Sequence, residues 1–135
     1  MIVLKDLCAL AIKARDNSYC PYSGVRVGAA LLTKSGRIFT GCNIENAAFS
    51  PTVCAERVAF FKAISEGEKE FTAIAVAGGA GELPNSEFPP CGVCRQVMAE
   101  FCEKDFKVCL VKNENEYISL TLGELMPHGF GKENV

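Results

Sequence analysis

Hydrophobic and polar positions along this chain change period several times, and each change marks an element. Leu4, Leu7, Cys8, Ala11 and Ile12 recur at helical spacing, so residues 3–16 are predicted to form an amphipathic helix that Asn17 and Ser18 end before Pro21. Two β-compatible runs, 26–34 and 37–42, flank Ser35-Gly36 and predict a hairpin. From Val53 the helical period returns through Val58, Phe61 and Ile64 and stops at Gly67. Residues 71–77 are an apolar run short enough for a buried strand. The Gly- and Pro-rich stretch 78–90 has no period and reads as a loop. Val93, Val97 and Phe101 then give another helical stripe, and 106–112 and 117–120 give two strands around the polar turn 113–116. Thr121 with Glu124 three residues later is a capping-box signature for a short last helix. The order α-β-β-α-β-α-β-β-α predicts an α/β fold, a five-stranded mixed sheet covered by helices in a three-layer α/β/α sandwich.

Composition narrows the function. With 135 residues, 49% of them hydrophobic, the chain is expected to be one domain, 1–135, with a real core. A formal charge of −2 and the lack of a Lys/Arg block argue against a nucleic-acid partner. No run approaches the ~18 apolar residues of a membrane span, and the charged pair Lys5-Asp6 precedes any stretch of signal-peptide length, so a cytoplasmic protein without a membrane partner is expected. In that reducing setting the eight cysteines are expected to be free thiols or metal ligands rather than disulfides.

Three of them carry the chemistry. Cys54-Ala55-Glu56 and Pro90-Cys91-Gly92-Val93-Cys94 offer three soft ligands, which leave the fourth tetrahedral position of a zinc ion open, with a carboxylate beside it. Zinc deaminases of nucleobases use such a set, with the non-ligating Glu moving protons. Both groups fall at predicted helix N-termini, where the macrodipole and unpaired N–H groups favour thiolates. Cys54 and Glu56, two apart, do not share a helix face, but in a first turn both side chains tilt toward the N-terminus and can converge. Arg57 is the candidate cation to offset thiolate charge from outside the ligand set.

Other readings stay open at this point. Cys91-Gly92-Val93-Cys94 could be a redox pair. The cluster could be a closed structural zinc, with His128 or Cys102 as fourth ligand. Glu56 alone would be a solvated first-turn residue favoured by the macrodipole. Cys8, Cys102 and Cys109 lie on apolar stripes as small core residues, and His128 reads as a loop residue.

Several stretches together resemble the small zinc-dependent cytidine deaminases over nearly the whole length: Tyr19-Cys20-Pro21-Tyr22-Ser23, Val27-Gly28-Ala29-Ala30-Leu31-Leu32, Gly41-Cys42-Asn43-Ile44-Glu45-Asn46-Ala47-Ala48, Cys54-Ala55-Glu56-Arg57, Pro90-Cys91-Gly92-Val93-Cys94-Arg95-Gln96 and Leu125-Met126-Pro127. The resemblance implies that Cys54, Cys91 and Cys94 bind one Zn²⁺ per chain and that Glu56 is the proton shuttle in hydrolysis of cytidine and deoxycytidine to uridine and deoxyuridine, a step of pyrimidine salvage. It also implies that Asn43 and Glu45 hold the ribose hydroxyls, that Ala55 and position 25 line the base pocket, and that a homotetramer shares its active sites, with Phe130 a residue lent to a neighbour. The chain departs from the pattern at Val25, where many relatives carry a Phe against the pyrimidine ring. A deaminase of a modified cytosine nucleoside such as blasticidin S is the alternative enzyme, and the Asn43-Ile44-Glu45 stretch argues against it.

Overall fold

The computed structural model describes residues 2–135. Helix α1 (Leu4–Ala14) runs into a 3-10 turn (Arg15–Asn17) and is followed by the hairpin β1 (Arg26–Thr33) and β2 (Ile38–Cys42). Helix α2 (Ala55–Ser65), strand β3 (Phe71–Gly79), helix α3 (Gly92–Phe101), strands β4 (Lys107–Val111) and β5 (Tyr117–Thr121), and the short helix α4 (Leu122–Leu125) complete the predicted order. The five strands form one sheet in the order β2-β1-β3-β4-β5, in which only β3 and β4, joined through α3, run parallel.

Both faces of the sheet are covered, which explains why β3 reads as a continuous apolar run. Ala73, Ala75 and Ala77 face α1 through Leu7, Cys8 and Ala11, whereas Ile74 and Val76 face α2 and α3 with Val27, Ala29, Val108 and Leu110. Helix α1 forms one outer layer and α2 with α3 the other. The capping box closes as predicted: the Thr121 hydroxyl accepts from the Glu124 N–H, and the Glu124 carboxylate accepts from the Thr121 N–H.

Three expectations need correction. The face of α2 against the sheet is Ala55, Glu56, Ala59, Phe60 and Ala63, while Phe61 is exposed and Val58 and Ile64 are half-buried. This helix is apolar on nearly every side, so periodicity offers two stripes, and the small alanines win because they let the helix lie close on the sheet. In α3 the buried positions are Cys94 and Met98, one step round from the predicted stripe, and Val93 is exposed. Strand β3 also continues through Gly78 and Gly79, and a 3-10 turn (Lys132–Asn134) that no sequence signal announced lies near the C-terminus.

One buried charge was not foreseen. Arg15 is 1% exposed, and its guanidinium donates to the carbonyls of Arg26, Gly79, Gly81 and Glu82 at 2.7–3.1 Å. It fixes the exit of β3, the start of the loop that delivers Cys91. Arg15→Met removes every one of these donors, so we expect a loss of about 3 kcal/mol in urea unfolding; a loss below about 1 kcal/mol would show that the carbonyls find other donors.

Candidate metal centre and active site

The three thiols come from two helix starts. Cys54 and Cys91 are the extended residues that precede α2 and α3, and Cys94 lies in the first turn of α3. Neither of the two helices has a side-chain cap, so their N-terminal N–H groups face the sulfurs with the positive end of each dipole. Close packing sets the depth of α2: a Cβ on Gly41 of β2 would stand 2.3 Å from the Ala55 carbonyl oxygen. The loop before α3 is fixed by Arg95, whose Nε donates to the Pro90 carbonyl at 2.8 Å and whose Nη1 donates to that of Leu125 at 2.6 Å.

The sulfurs of Cys54 and Cys91 are 3.6 Å apart, as are those of Cys91 and Cys94, and all three lie within 4.8 Å of one another. Zn–S bonds of about 2.3 Å in a tetrahedron place ligand sulfurs about 3.8 Å apart, so the cluster has the right span. Among the described residues no fourth Cys, His, Asp or Glu joins it. His128, the proposed closing ligand of a structural site, is exposed on a turn at φ 56°, and the Cys102 thiol is pushed up to about 12 by burial. All eight cysteines are free thiols, with Cys8 and Cys109 in the core as expected.

Charge is distributed unevenly among the thiols. Cys54 is brought down to about 5 by the hydrogen bond it accepts from Cys94 and by Arg57, whose Nη2 donates to its sulfur at 3.5 Å. Cys94 is pushed up by the same hydrogen bond and by burial. A divalent cation bound by these sulfurs would displace their protons.

Glu56 is not solvated. It is 2% exposed, and its Oε1 is buried without a hydrogen-bond partner. Burial raises its pKa to about 7, and the charge on Cys54 adds to the rise. A carboxylate this deep, with one oxygen left unpaired, stabilises nothing in the fold. It fits a group that waits for a proton donor.

The segment after β2 brings the expected sugar ligands beside the sulfurs. Ile44 bridges Tyr19 on one side and Val53, next to Cys54, on the other. Asn43 accepts from the Val27 N–H at 2.9 Å and donates to the Val25 carbonyl at 2.8 Å. Glu45 Oε1 accepts from the N–H groups of Tyr22 and Ser23, and its Oε2 accepts from the Ser23 hydroxyl. These inward bonds were not legible in the sequence; they leave Asn43 one N–H and Glu45 a lone pair on Oε2 to spare. Ala55 is buried at the start of α2, and Val25 is half-buried against the same core cluster. Phe130 is not brought to the cluster. It is 61% exposed, lines a hollow of about 310 Å³ beside the C-terminal half of α3, and its carbonyl accepts from Gln96.

The site therefore defines a class: three thiols at zinc-ligand spacing with a buried acid, a set suited to metal-assisted hydrolysis. Residues 1–110 match the family model for the cytidine and deoxycytidylate deaminase zinc-binding region. The chain is 48% identical over 132 residues to the cytidine deaminase of Sporosarcina psychrophila, covering 98% of this chain and 94% of that protein. It is also 48% identical over 125 residues to the cytidine deaminase of Halalkalibacterium halodurans, covering 93% and 92%. The crystal structure of cytidine deaminase from Burkholderia pseudomallei superposes with a TM-score of 0.87 at 40% identity, covering 96% of this chain and all of that one. The chain belongs to the cytidine and deoxycytidylate deaminase zinc-binding family.

Proposed function

We propose that this protein hydrolyses cytidine and deoxycytidine to uridine and deoxyuridine with release of ammonia, with residues 1–135 as a single catalytic domain. The observation that carries the reading is the buried, unpartnered Glu56 oxygen beside three thiols at ligand spacing. Cys54, Cys91 and Cys94 hold the metal. When bound, zinc supplies the Lewis acidity that makes water a nucleophile near neutral pH. Glu56 would take a proton from the attacking water and deliver it to ring N3 as the C4–O bond forms, then pass the proton of the new C4 hydroxyl to the amino group, which leaves as ammonia when the C4–N bond breaks. Asn43 and Glu45 receive the ribose hydroxyls with the capacity left over from their backbone bonds. Ala55 and Val25 border the base.

Three thiolates around Zn²⁺ leave the centre at net −1, which opposes acidification of water. The Arg57 hydrogen bond to Cys54 offsets part of that charge. Arg57→Ala should accordingly lower turnover about 10- to 100-fold with zinc content unchanged. An unaltered turnover number would remove Arg57 from the mechanism, and zinc loss would make it a structural prop.

A homotetramer with shared sites is part of the proposal. Phe49 is 87% exposed, Tyr22, Val93 and Phe130 are each more than half exposed and Phe61 nearly half, an amount of apolar surface that suits contact with other subunits. Phe130, which stands away from its own cluster, is the residue offered to a neighbour. We place the protein in the cytoplasm, a compartment that suits eight free thiols. No helix among the described residues is long and apolar enough to cross a membrane.

The test is ammonia release from cytidine, deoxycytidine, cytosine, CMP and blasticidin S. Cytidine and deoxycytidine should react. Cytosine lacks the sugar for which Asn43 and Glu45 are arranged, and CMP brings a phosphate toward the Glu45 carboxylate, so both should be poor substrates. Comparable catalytic efficiency on CMP and cytidine would overturn the roles of Asn43 and Glu45. Turnover of blasticidin S alone would favour the alternative enzyme.

A further inference from the structure

Strand register places a second wall opposite α2. Gly41, Ala29 and Val76 are cross-strand neighbours on one face of the sheet, and Val27 and Gly78 are neighbours on the same face two residues along. The first turn of α2, with Cys54 and Glu56, sits over Gly41. Over Gly78 sits the ring of Phe88: a Cβ there would stand 2.4 Å from the Phe88 Cγ and 2.7–2.8 Å from its Cδ atoms. Gly41 and Gly78 are two strands apart, about 10 Å across the sheet. Val27, the partner of Gly78, lies between the two on the same face, and Val25 stands just before the start of β1, two residues from Val27.

The ring is fixed in place. Phe88 precedes Pro89 and the buried Pro90, and Arg95 holds the Pro90 carbonyl. On the other side Asn43 holds the backbone of Val25 and Val27. Phe88 is nonetheless only half-buried, and it packs against the core cluster that contains Ala55 and Cys94. A half-exposed aromatic seated in a glycine socket, three residues before a metal ligand, is a poor use of a ring if it only fills the core. The ring stands on the same face of the sheet as the first turn of α2, which carries the acid.

We propose that Phe88, seated on Gly78, is a specificity-determining residue that supplies the aromatic wall for the pyrimidine ring which Val25 cannot provide. The inference rests on the deaminase reading and names the wall of that same pocket.

The experiment compares wild type with Phe88→Leu and Gly78→Ala, measuring KM and kcat for cytidine, Kd for uridine by calorimetry, zinc content and melting temperature. Phe88→Leu keeps apolar volume and loses the π-face, so KM and the uridine Kd should rise about 3- to 10-fold with kcat and zinc retained. Gly78→Ala displaces the ring and should produce the same rise; in a Phe88→Leu background it should add less than its effect alone. KM and Kd within twofold of wild type for Phe88→Leu would overturn the proposal, as would a fall in zinc or melting temperature without a change in Kd, the mark of a loop anchor. If Gly78→Ala does not fold, Phe88→Leu decides the matter. A wild-type protein that does not deaminate cytidine would instead refute the underlying reading.

Discussion

A Glu56→Gln protein should fold, hold its zinc and lose turnover on cytidine by about 10²–10⁴-fold, the size of a positioned acid-base contribution. The amide keeps the shape of the side chain but cannot carry a proton from water to the base and on to the leaving group. Stability should not suffer. Glu56 Oε1 has no partner to lose, and replacing a desolvated carboxylate with a neutral group relieves a cost, so the melting temperature should stay level or rise. Steady-state kinetics and metal analysis check the first half, and a thermal melt of the same preparation checks the second. Retention of more than about a tenth of the rate would contradict the shuttle role.

Removal of zinc is expected to abolish activity and lower the melting temperature together. The three sulfurs come from the starts of two helices on one side of the sheet, so a shared ion ties α2 to α3 in the native state and has no equivalent site in the unfolded chain. Chelation followed by one equivalent of Zn²⁺ per chain should restore both properties. Cys91→Ser, at the most exposed of the three, should weaken zinc binding because an alcohol is a poorer and less acidic ligand than a thiol. Activity that survives with less than about a tenth of an equivalent of zinc would refute metal dependence.

Much of this molecule was legible before its structure. Element order, a mixed sheet, the Thr121 capping box and the candidate ligand thiols follow from local patterns: periodicity, turn residues and the chemistry of soft donors around an open coordination position. The choice among readings of Cys91 and Cys94 was not local. The redox pair and the closed zinc give way to a three-sulfur cluster only when Cys54 arrives from another helix and His128 and Cys102 do not. The same holds for Glu56, which as a lone first-turn residue belongs in water and which α2 instead turns toward the sheet with Ala59, Phe60 and Ala63.

Sequence by itself determined the alphabet of the site, because metal affinity and helix-start electrostatics are properties of residue types and their spacing. Tertiary structure decided what those residues face. It chose which of two apolar stripes on α2 is buried, gave Arg15 four distant carbonyls, spent half of the hydrogen-bonding capacity of Asn43 and Glu45 on the backbone, and seated Phe88 on Gly78. Each of these depends on strands brought together across tens of residues. Burial and hydrogen-bond partnership are relations between such segments, and no window of the chain contains both members.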